Sequence, residues 1–219
     1  MEDTFRDRTE AGRLLATELI RYAHEPDVIV LALPRGGVPV AYEVAMALHA
    51  PLDVFVVRKL GTPDQPELAM GAIATGGVRV INDEVVQGCG ISPELIDEVA
   101  QEEFRELNRR ELAYRGTHAA PVVRGRTVLL IDDGVATGST MRAAIRALNS
   151  QQPARLVVAV PTAAGSTWRE LRTEVDEFVA LRTPEPFRGV GEWYDDFSQT
   201  TDDEVTELLA RARKNLTAK

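Results

Sequence analysis

Short, continuously apolar runs alternate along this chain with longer segments in which apolar residues recur at helical spacing. Such runs are typical of strands that are buried on both faces of a parallel sheet. The predicted strands cover residues 27–33, 52–57, 128–131, 156–160 and 177–181. The alternation of strands and helices therefore predicts an α/β fold, a parallel twisted sheet flanked by helices on both faces.

Helices are predicted in the intervals between these strands. They cover residues 9–23, 38–50, 92–115, 139–151, 166–173 and a segment that begins after Thr201. In the first of them, Leu14, Leu15, Leu19 and Tyr22 are expected on roughly one face. That face would pack against the sheet or a neighbouring helix.

Local signals mark the ends of two helices and the connections between elements. Ser92 is expected to cap the helix at 92–115, and Thr201 with Glu204 forms a capping box for the last helix. Residues 58–70 hold two prolines and a glycine, which predicts a long loop. A hairpin is predicted for residues 72–81, around Thr-Gly-Gly.

Four segments are expected to meet at one edge of the sheet. In open parallel sheets, ligands bind beyond the carboxyl ends of the strands. The segments that follow predicted strands are residues 34–37, 58–59, 132–140 and the loop after Val160. Parts of the chain that are distant in sequence are therefore predicted to form one site.

Composition narrows the class of protein. The formal net charge of −9 argues against general nucleic-acid binding, which needs a broadly basic surface. The single cysteine, Cys89, forms no internal disulfide and is interpreted as a packing or turn residue in a protein from a reducing compartment. Residues 1–13 lack the apolar segment of a signal peptide, and no run is long enough to span a membrane. We expect a soluble, cytoplasmic protein without nucleic-acid or membrane partners, and the helix at 92–115 as a solvated surface or an oligomer face.

The stretch at 128–140, VLLIDDGVATGST, carries the chemistry. Asp132 and Asp133 follow a buried strand, and adjacent carboxylates repel each other unless a partner or ligand accompanies them. Carboxylates accept hydrogen bonds from sugar hydroxyls or hold water around Mg²⁺, whereas small residues at a helix start bind phosphate. A sugar phosphate fits both halves. The alternative is that the pair merely ends a strand and that Thr137 or Ser139 caps the next helix.

This stretch resembles the phosphoribosyl pyrophosphate (PRPP) binding motif of the type I phosphoribosyltransferases. In that family, four hydrophobic residues and two acidic residues precede a small-residue loop that contains T-G-x-T. The resemblance implies that Asp132 and Asp133 act catalytically by holding the ribose hydroxyls and are the metal contacts for Mg²⁺. It implies a 5-phosphate loop made of Ala136, Thr137, Gly138, Ser139 and Thr140.

The resemblance also implies the family's architecture and reaction. The fold would be type I phosphoribosyltransferase-like with a small variable hood. We divide the chain into an N-terminal helix packing on the core at 1–26, the α/β core at 27–181, and the hood with a C-terminal helix at 182–219. The reaction displaces pyrophosphate from PRPP with a nitrogen of an acceptor, with Mg²⁺ as cofactor. PRPP and a small-molecule acceptor would be the ligands, and a homo-oligomer is compatible with the family.

Three further segments are consistent with this resemblance. Arg35, Gly36 and Gly37 lie where the family places a pyrophosphate-binding loop, often with a cis peptide that does not involve proline; the alternative is a tight turn. Arg58 and Lys59 would neutralise pyrophosphate, or are simply solvated cations. Glu67 lies in the expected mobile catalytic loop and would assist a proton, or is simply solvated.

The acceptor is less well defined by the sequence. Enzymes for 6-oxopurines usually carry Asp immediately before the T-G of the loop, whereas this chain has Ala136, a form more like that of the adenine branch. A purine is therefore favoured over a pyrimidine. Phe187, Trp193 and Tyr194 would stack on a flat base, with Glu192 or Asp195 reading amino groups. The alternative is a satellite core under the C-terminal helix.

Two other functions compete with catalysis. One is a non-catalytic PRPP-binding sensor or regulatory protein, which would usually carry a basic nucleic-acid-binding element. The other is a PRPP synthetase-like protein, which would need two tandem copies of the fold. The predicted long loop and the basic pair favour the transferase.

Overall fold

The predicted parallel sheet is confirmed in the computed structural model, which describes residues 4–62, 65 and 68–217. Numbered along the chain, its strands are β1 (Val28–Ala32), β2 (Leu52–Val54), β6 (Thr127–Ile131), β7 (Arg155–Thr162) and β8 (Glu177–Arg182). They lie in the order β2-β1-β6-β7-β8, and every neighbouring pair is parallel. The first predicted strand and the strand before the two aspartates are therefore neighbours.

Helices cover both faces of this sheet. They are α1 (Arg8–Glu18), α2 (Gly37–Leu48), α3 (Asp83–Cys89), α4 (Pro93–Arg115), α5 (Ser139–Ser150), α6 (Gly165–Leu171) and α7 (Asp202–Thr217). Val28, Val30 and Ala32 of β1 pack in a core with residues of α1, α2, α4 and α7. Ile29 and Leu31 pack in a second core with residues of α5 and α6. The period of two along β1 explains why its run is apolar without a break.

A second, antiparallel sheet corrects the predicted long loop. It consists of β3 (Val57–Gly61), β4 (Ala69–Ala74) and β5 (Val78–Ile81). The expected strand at 52–57 is divided between the two sheets, and Arg58 and Lys59 lie within β3 instead of in a loop. Leu60 and Met70, from the two paired strands, are both fully buried. The predicted hairpin is confirmed, with Ala74 paired to Val78.

Helix ends agree with several predictions and correct others. The Ser92 hydroxyl accepts from the Leu95 amide, and the Thr201 hydroxyl accepts from the Glu204 amide. The first helix ends at Glu18, before a 3-10 turn, and Leu14 is exposed instead of lying on the buried face. Helix α3 was not predicted, and Cys89, which was expected to be a packing or turn residue, is the exposed last residue of this helix. No described helix is long and apolar enough to cross a membrane.

Candidate functional site

The carboxyl ends of β1, β6 and β7 bring three predicted segments together. The Leu33 amide donates to the Ile131 carbonyl at 2.9 Å, and Val135 forms a parallel bridge with Ala163. The loop after β1, the acidic pair after β6 and the loop after β7 therefore lie side by side, as the rule for open parallel sheets predicts. This rim is the candidate functional site.

The two carboxylates of the acidic pair are held differently. The Asp132 Oδ1 accepts the Asp133 amide at 2.9 Å, and the Asp133 Oδ2 accepts the Arg8 Nε at 2.8 Å. Burial and then the charge of Asp133 raise the pKa of Asp132 well above its usual value. Burial also raises the pKa of Asp133, while Arg8 opposes that rise. Two acids in this environment gain from a polyhydroxyl or cationic ligand.

Glycine at positions 36 and 37 lets the loop after β1 approach the acidic pair. A Cβ on Gly36 would overlap the Asp133 carboxylate, and a Cβ on Gly37 would lie 2.9 Å from the Asp132 Cα. Gly36 has φ −58° and ψ −31°, so the close contact and not the backbone conformation requires glycine there. The peptide bond between Pro34 and Arg35 is cis, as the resemblance to the family led us to expect.

The loop between β6 and α5 keeps its polar groups available. Gly138, at φ 73°, is the N-cap of α5, and no side chain caps this helix. The alternative in which Thr137 or Ser139 caps the helix is therefore wrong. Thr137, Ser139 and Thr140 are exposed. Uncapped amides at a helix N-terminus, with hydroxyls beside them, form a binding site for phosphate.

The loop is supported from below by α6. The Thr167 hydroxyl donates to the Ala136 carbonyl at 2.6 Å. A Cβ on Gly138 would lie 2.6 Å from the Thr167 Cγ2 and 3.1 Å from the Leu171 Cδ1. The positive φ and this close packing both select glycine at position 138. The backbone of the loop is thus fixed from the side opposite its exposed hydroxyls.

The three predicted pyrophosphate cations are in different surroundings. Arg58 and Lys59 are consecutive in β3, so their side chains point to opposite faces of the strand. Arg58 is paired with Glu103 of α4 at 2.6 Å. Lys59 lines a pocket together with Ser139 and Arg142. This pocket, between α5 and the small sheet, has a volume of about 270 Å³. Arg35 is half-exposed and lies 3.8 Å from Asp202. Of the two residues Arg58 and Lys59, Lys59 is therefore the one beside the start of α5, where the phosphate loop is predicted.

The predicted acceptor residues have separate roles. The rings of Phe187 and Trp193 are stacked at 6.4 Å and partly exposed, so they remain candidates. Tyr194 is buried, its ring contacts Phe5 and Phe197, and its hydroxyl donates to the Asp133 carbonyl at 2.6 Å. The prediction that Tyr194 stacks on a base is therefore wrong, because its ring is enclosed. Glu67 lies outside the described residues, so its role stays a prediction.

Within the described part of the chain, three polar atoms near these aromatic residues are buried without a hydrogen-bond partner. They are Thr162 Oγ1, Arg182 Nη1 and Trp193 Nε1. Thr162 and Arg182 are register partners at the ends of β7 and β8. The Arg182 guanidinium lies 4.0 Å from the centre of the Phe5 ring, and the Phe5 amide donates to the Trp193 carbonyl. Buried polar groups of this kind are usually satisfied by water or by a ligand.

Arg8 is a residue of the site that the sequence patterns did not identify. It precedes the predicted start of the first helix and belongs to no recognised motif. Its side chain is 11% exposed and its ion pair with Asp133 crosses 125 positions of the chain. The composition of the N-terminal segment alone offers no signal that selects Arg8 over Arg6 or Arg13.

The acidic pair also meets the requirements for Mg²⁺ in part. Carboxylate oxygens are ligands that Mg²⁺ prefers, and the ion usually keeps water or substrate phosphate in its other positions. No group of three or more His, Cys, Asp or Glu side chains suited to a metal converges within the described ranges. Asp132 and Asp133 therefore fit an ion that is held mainly by a phosphorylated ligand and water.

The fold and this rim define the phosphoribosyltransferase class, and comparison with known proteins agrees. A family model described as phosphoribosyl transferase domain matches residues 6–183. The chain therefore belongs to the phosphoribosyl transferase domain family. The resemblance inferred from the acidic pair and the loop is confirmed at the level of the family.

Similar proteins include a curated one and a solved structure. A Mycobacterium tuberculosis protein named as a phosphoribosyl transferase is 46% identical over 211 residues, which cover 96% of this chain and 47% of that protein. The crystal structure of TT1426 from Thermus thermophilus has a TM-score of 0.85 and 41% identity, and the match covers 95% of this chain and 98% of that one. The chain thus spans about half the length of the mycobacterial relative.

Proposed function

We propose that this protein transfers the 5-phosphoribosyl group of PRPP to a nitrogen of a small-molecule acceptor. The acceptor nitrogen forms a bond to the ribose C1 while the bond from C1 to the pyrophosphate oxygen breaks. Pyrophosphate leaves with the bonding electron pair, and the acceptor nitrogen loses its proton. The observation that carries this proposal is an acidic pair directly beside an uncapped, hydroxyl-lined helix start at the carboxyl edge of the sheet.

Each group of residues then has one task. Asp132 and Asp133 accept hydrogen bonds from the two ribose hydroxyls. The amides and hydroxyls of residues 136–140 hold the 5-phosphate. Lys59 and the loop at 35–37 bind the pyrophosphate. Arg58 binds it too, after its side chain has moved away from Glu103. Glu67 assists proton transfer.

Mg²⁺ is the proposed cofactor, bound together with PRPP. When bound, it offsets the charge that builds up on the leaving pyrophosphate. Asp132 and Asp133 would hold it directly or through water. Their raised pKa values are consistent with a site in which a bound cation or polar ligand restores the ionised pair.

The proposed acceptor is a nucleobase, a purine in preference to a pyrimidine. Ala136 occupies the position before Thr137-Gly138, which favours an acceptor other than a 6-oxopurine. Phe187 and Trp193 offer partly exposed aromatic surface for a flat ring.

The test is pyrophosphate release from Mg·PRPP in the presence of individual purines, pyrimidines and their oxo and amino variants. We expect release with one acceptor, and none with the Asp132→Asn/Asp133→Asn double variant, which serves as the blank. Release without any dependence on these aspartates would contradict the assignment. Silence across the panel while PRPP still binds would favour a PRPP-binding sensor instead of a transferase.

A further inference from the structure

Arg8 connects the start of α1 and the segment before α7 to the acidic pair. Its Nε donates to the Asp133 Oδ2 at 2.8 Å, and its Nη1 donates to the Ser198 carbonyl at 2.8 Å. The guanidinium lies 4.0 Å from the centre of the Phe197 ring. Both ion-pair partners are largely buried, with 11% of the Arg8 and 14% of the Asp133 side chain exposed. Such a pair is screened far less than a surface pair.

The backbone delivers Arg8 to this position by pairing the N-terminal residues with the segment before α7. The Phe5 amide donates to the Trp193 carbonyl at 2.8 Å, and the Asp195 amide donates to the Phe5 carbonyl at 2.8 Å. Asp7 then caps α1 by accepting the Glu10 amide at 2.8 Å. Arg8 therefore leaves the first turn of a capped helix from a fixed backbone, so its reach to Asp133 is set by structure on both sides.

Arg8 also determines which oxygen of Asp133 remains for a ligand. The Asp132 Oδ1 is taken by the Asp133 amide, and the Asp133 Oδ2 is taken by Arg8. Among the described residues, no hydrogen bond is made to the other oxygen of either carboxylate. One acceptor oxygen is thus left on each of the two aspartates. A ribose 2,3-diol presents two hydroxyl donors, which is the matching number.

We propose that Arg8 is a positioning residue that fixes the Asp133 carboxylate for recognition of the ribose diol. This inference rests on the proposed function. A carboxylate held at one oxygen by a buried guanidinium has a defined orientation and a compensated charge beside Asp132. Without that partner, Asp133 would be free to rotate, and two uncompensated carboxylates would face each other. Arg8 thus acts on the diol through Asp133 and has no role toward the phosphates.

The test compares ligands with and without the ribose. Affinities for Mg·PRPP, ribose 5-phosphate and Mg·pyrophosphate are measured by calorimetry for the wild type, Arg8→Met, Arg8→Lys and Arg13→Met. Arg13 is on the same helix and is also ion-paired, to Glu43, but its side chain is 65% exposed. Thermal unfolding of each variant is recorded alongside.

We expect Arg8→Met to weaken both ribose-containing ligands by about tenfold or more, the loss typical of a charge-assisted hydrogen bond. Affinity for Mg·pyrophosphate should stay unchanged, because that ligand lacks the diol. Arg8→Lys keeps the charge without the second donor to Ser198, so it should recover part of the loss. Arg13→Met should bind all three ligands as the wild type does.

Several outcomes would overturn the inference. Equal losses of affinity for Mg·pyrophosphate and Mg·PRPP in Arg8→Met would show general damage to the rim. Wild-type or tighter PRPP binding by this variant would show that Arg8 is dispensable or competes with the ribose for Asp133. If Arg8→Met does not fold, Phe197→Leu takes its place, because it removes the ring that contacts the Arg8 guanidinium. This variant should lower the affinity for the ribose-containing ligands and leave that for Mg·pyrophosphate unchanged. The absence of such a selective loss would count against the proposal. Failure of the wild type itself to bind PRPP would reject the proposed function, whereas normal wild-type binding with unaffected Arg8 variants rejects the role of Arg8 alone.

Discussion

At the scale of single residues, the site depends on positions at which no side chain fits. Gly36 has ordinary helical dihedral angles, so alanine would be tolerated by its backbone. The position is closed to a side chain because the Asp133 carboxyl carbon would lie 2.7 Å from an added Cβ. The glycine therefore serves the acidic pair and not the chain conformation.

Gly36→Ala is expected to displace the Asp133 carboxylate and to weaken Mg·PRPP binding by about tenfold, equivalent to ~1.4 kcal/mol and typical of overpacking. Calorimetric titration with Mg·PRPP measures this effect. Gly88→Ala is the matched control, because nothing lies within 4 Å of an added Cβ there and its φ is not positive. Full affinity in Gly36→Ala would show that the contact with Asp133 is unimportant.

Residue-level prediction from the sequence was possible where the signal was local. The acidic pair and the T-G-S-T loop are contiguous, so their chemistry could be inferred from one stretch of 13 letters, 128–140. Arg8 reaches Asp133 across 125 positions, and Tyr194 is enclosed by Phe5, so neither role has a local signature. These two assignments required knowledge that the segment around Phe5 pairs with the segment around Trp193.

At the scale of elements, α4 is connected to the main sheet through a buried cation. Arg115, the last residue of the helix, is 3% exposed and pairs with Asp53 of β2 at 3.0 Å and with Glu111 at 3.1 Å. Its Nη2 also donates to the Val54 carbonyl at 2.8 Å. A buried ion pair that is fully hydrogen-bonded is strongly destabilising to break from one side, because the remaining charge stays buried.

Arg115→Met should lower the free energy of unfolding by about 3 to 5 kcal/mol, because it leaves the Asp53 carboxylate without its cationic partner. Urea unfolding measures the difference. Arg109→Met on the same helix is the control: Arg109 is 62% exposed and pairs with Glu106, so its removal should change stability by less than about 1 kcal/mol. Similar losses in the two variants would refute the special role of the buried pair.

The strand prediction failed at β3, whose residues do not form an apolar run. β3 carries Arg58, Lys59 and Gly61, so its local composition indicates a loop, yet it pairs with β4 over its length. Pairing satisfies its backbone groups, and burial of Leu60 and Met70 fixes the sheet. By contrast, the strands of the main sheet are apolar on both faces and could be predicted without knowledge of their neighbours.

At the scale of the whole molecule, the main sheet brings the proposed PRPP-binding elements together, and the segments around Arg8 and Tyr194 pack beside them. The acidic pair, the loop at 35–37 and the helix start at 139 come from the sheet edge. Arg8 and Tyr194 come from segments on either side of the predicted core and contact the same aspartate. The acceptor site is the part of the molecule that the sequence defines least, because its candidate residues, Phe187 and Trp193, lie outside the motif at 128–140.

Isothermal titration calorimetry of Mg·PRPP with the wild type and with Asp133→Asn tests whether the acidic pair binds the ribose. We expect the wild type to bind and the variant to lose about tenfold or more in affinity, since the amide lacks the charge that strengthens hydrogen bonds from the ribose hydroxyls. Thermal unfolding of the two proteins should show that the variant is folded. Unchanged PRPP affinity in a folded Asp133→Asn protein would contradict the assignment of the acidic pair to the ribose.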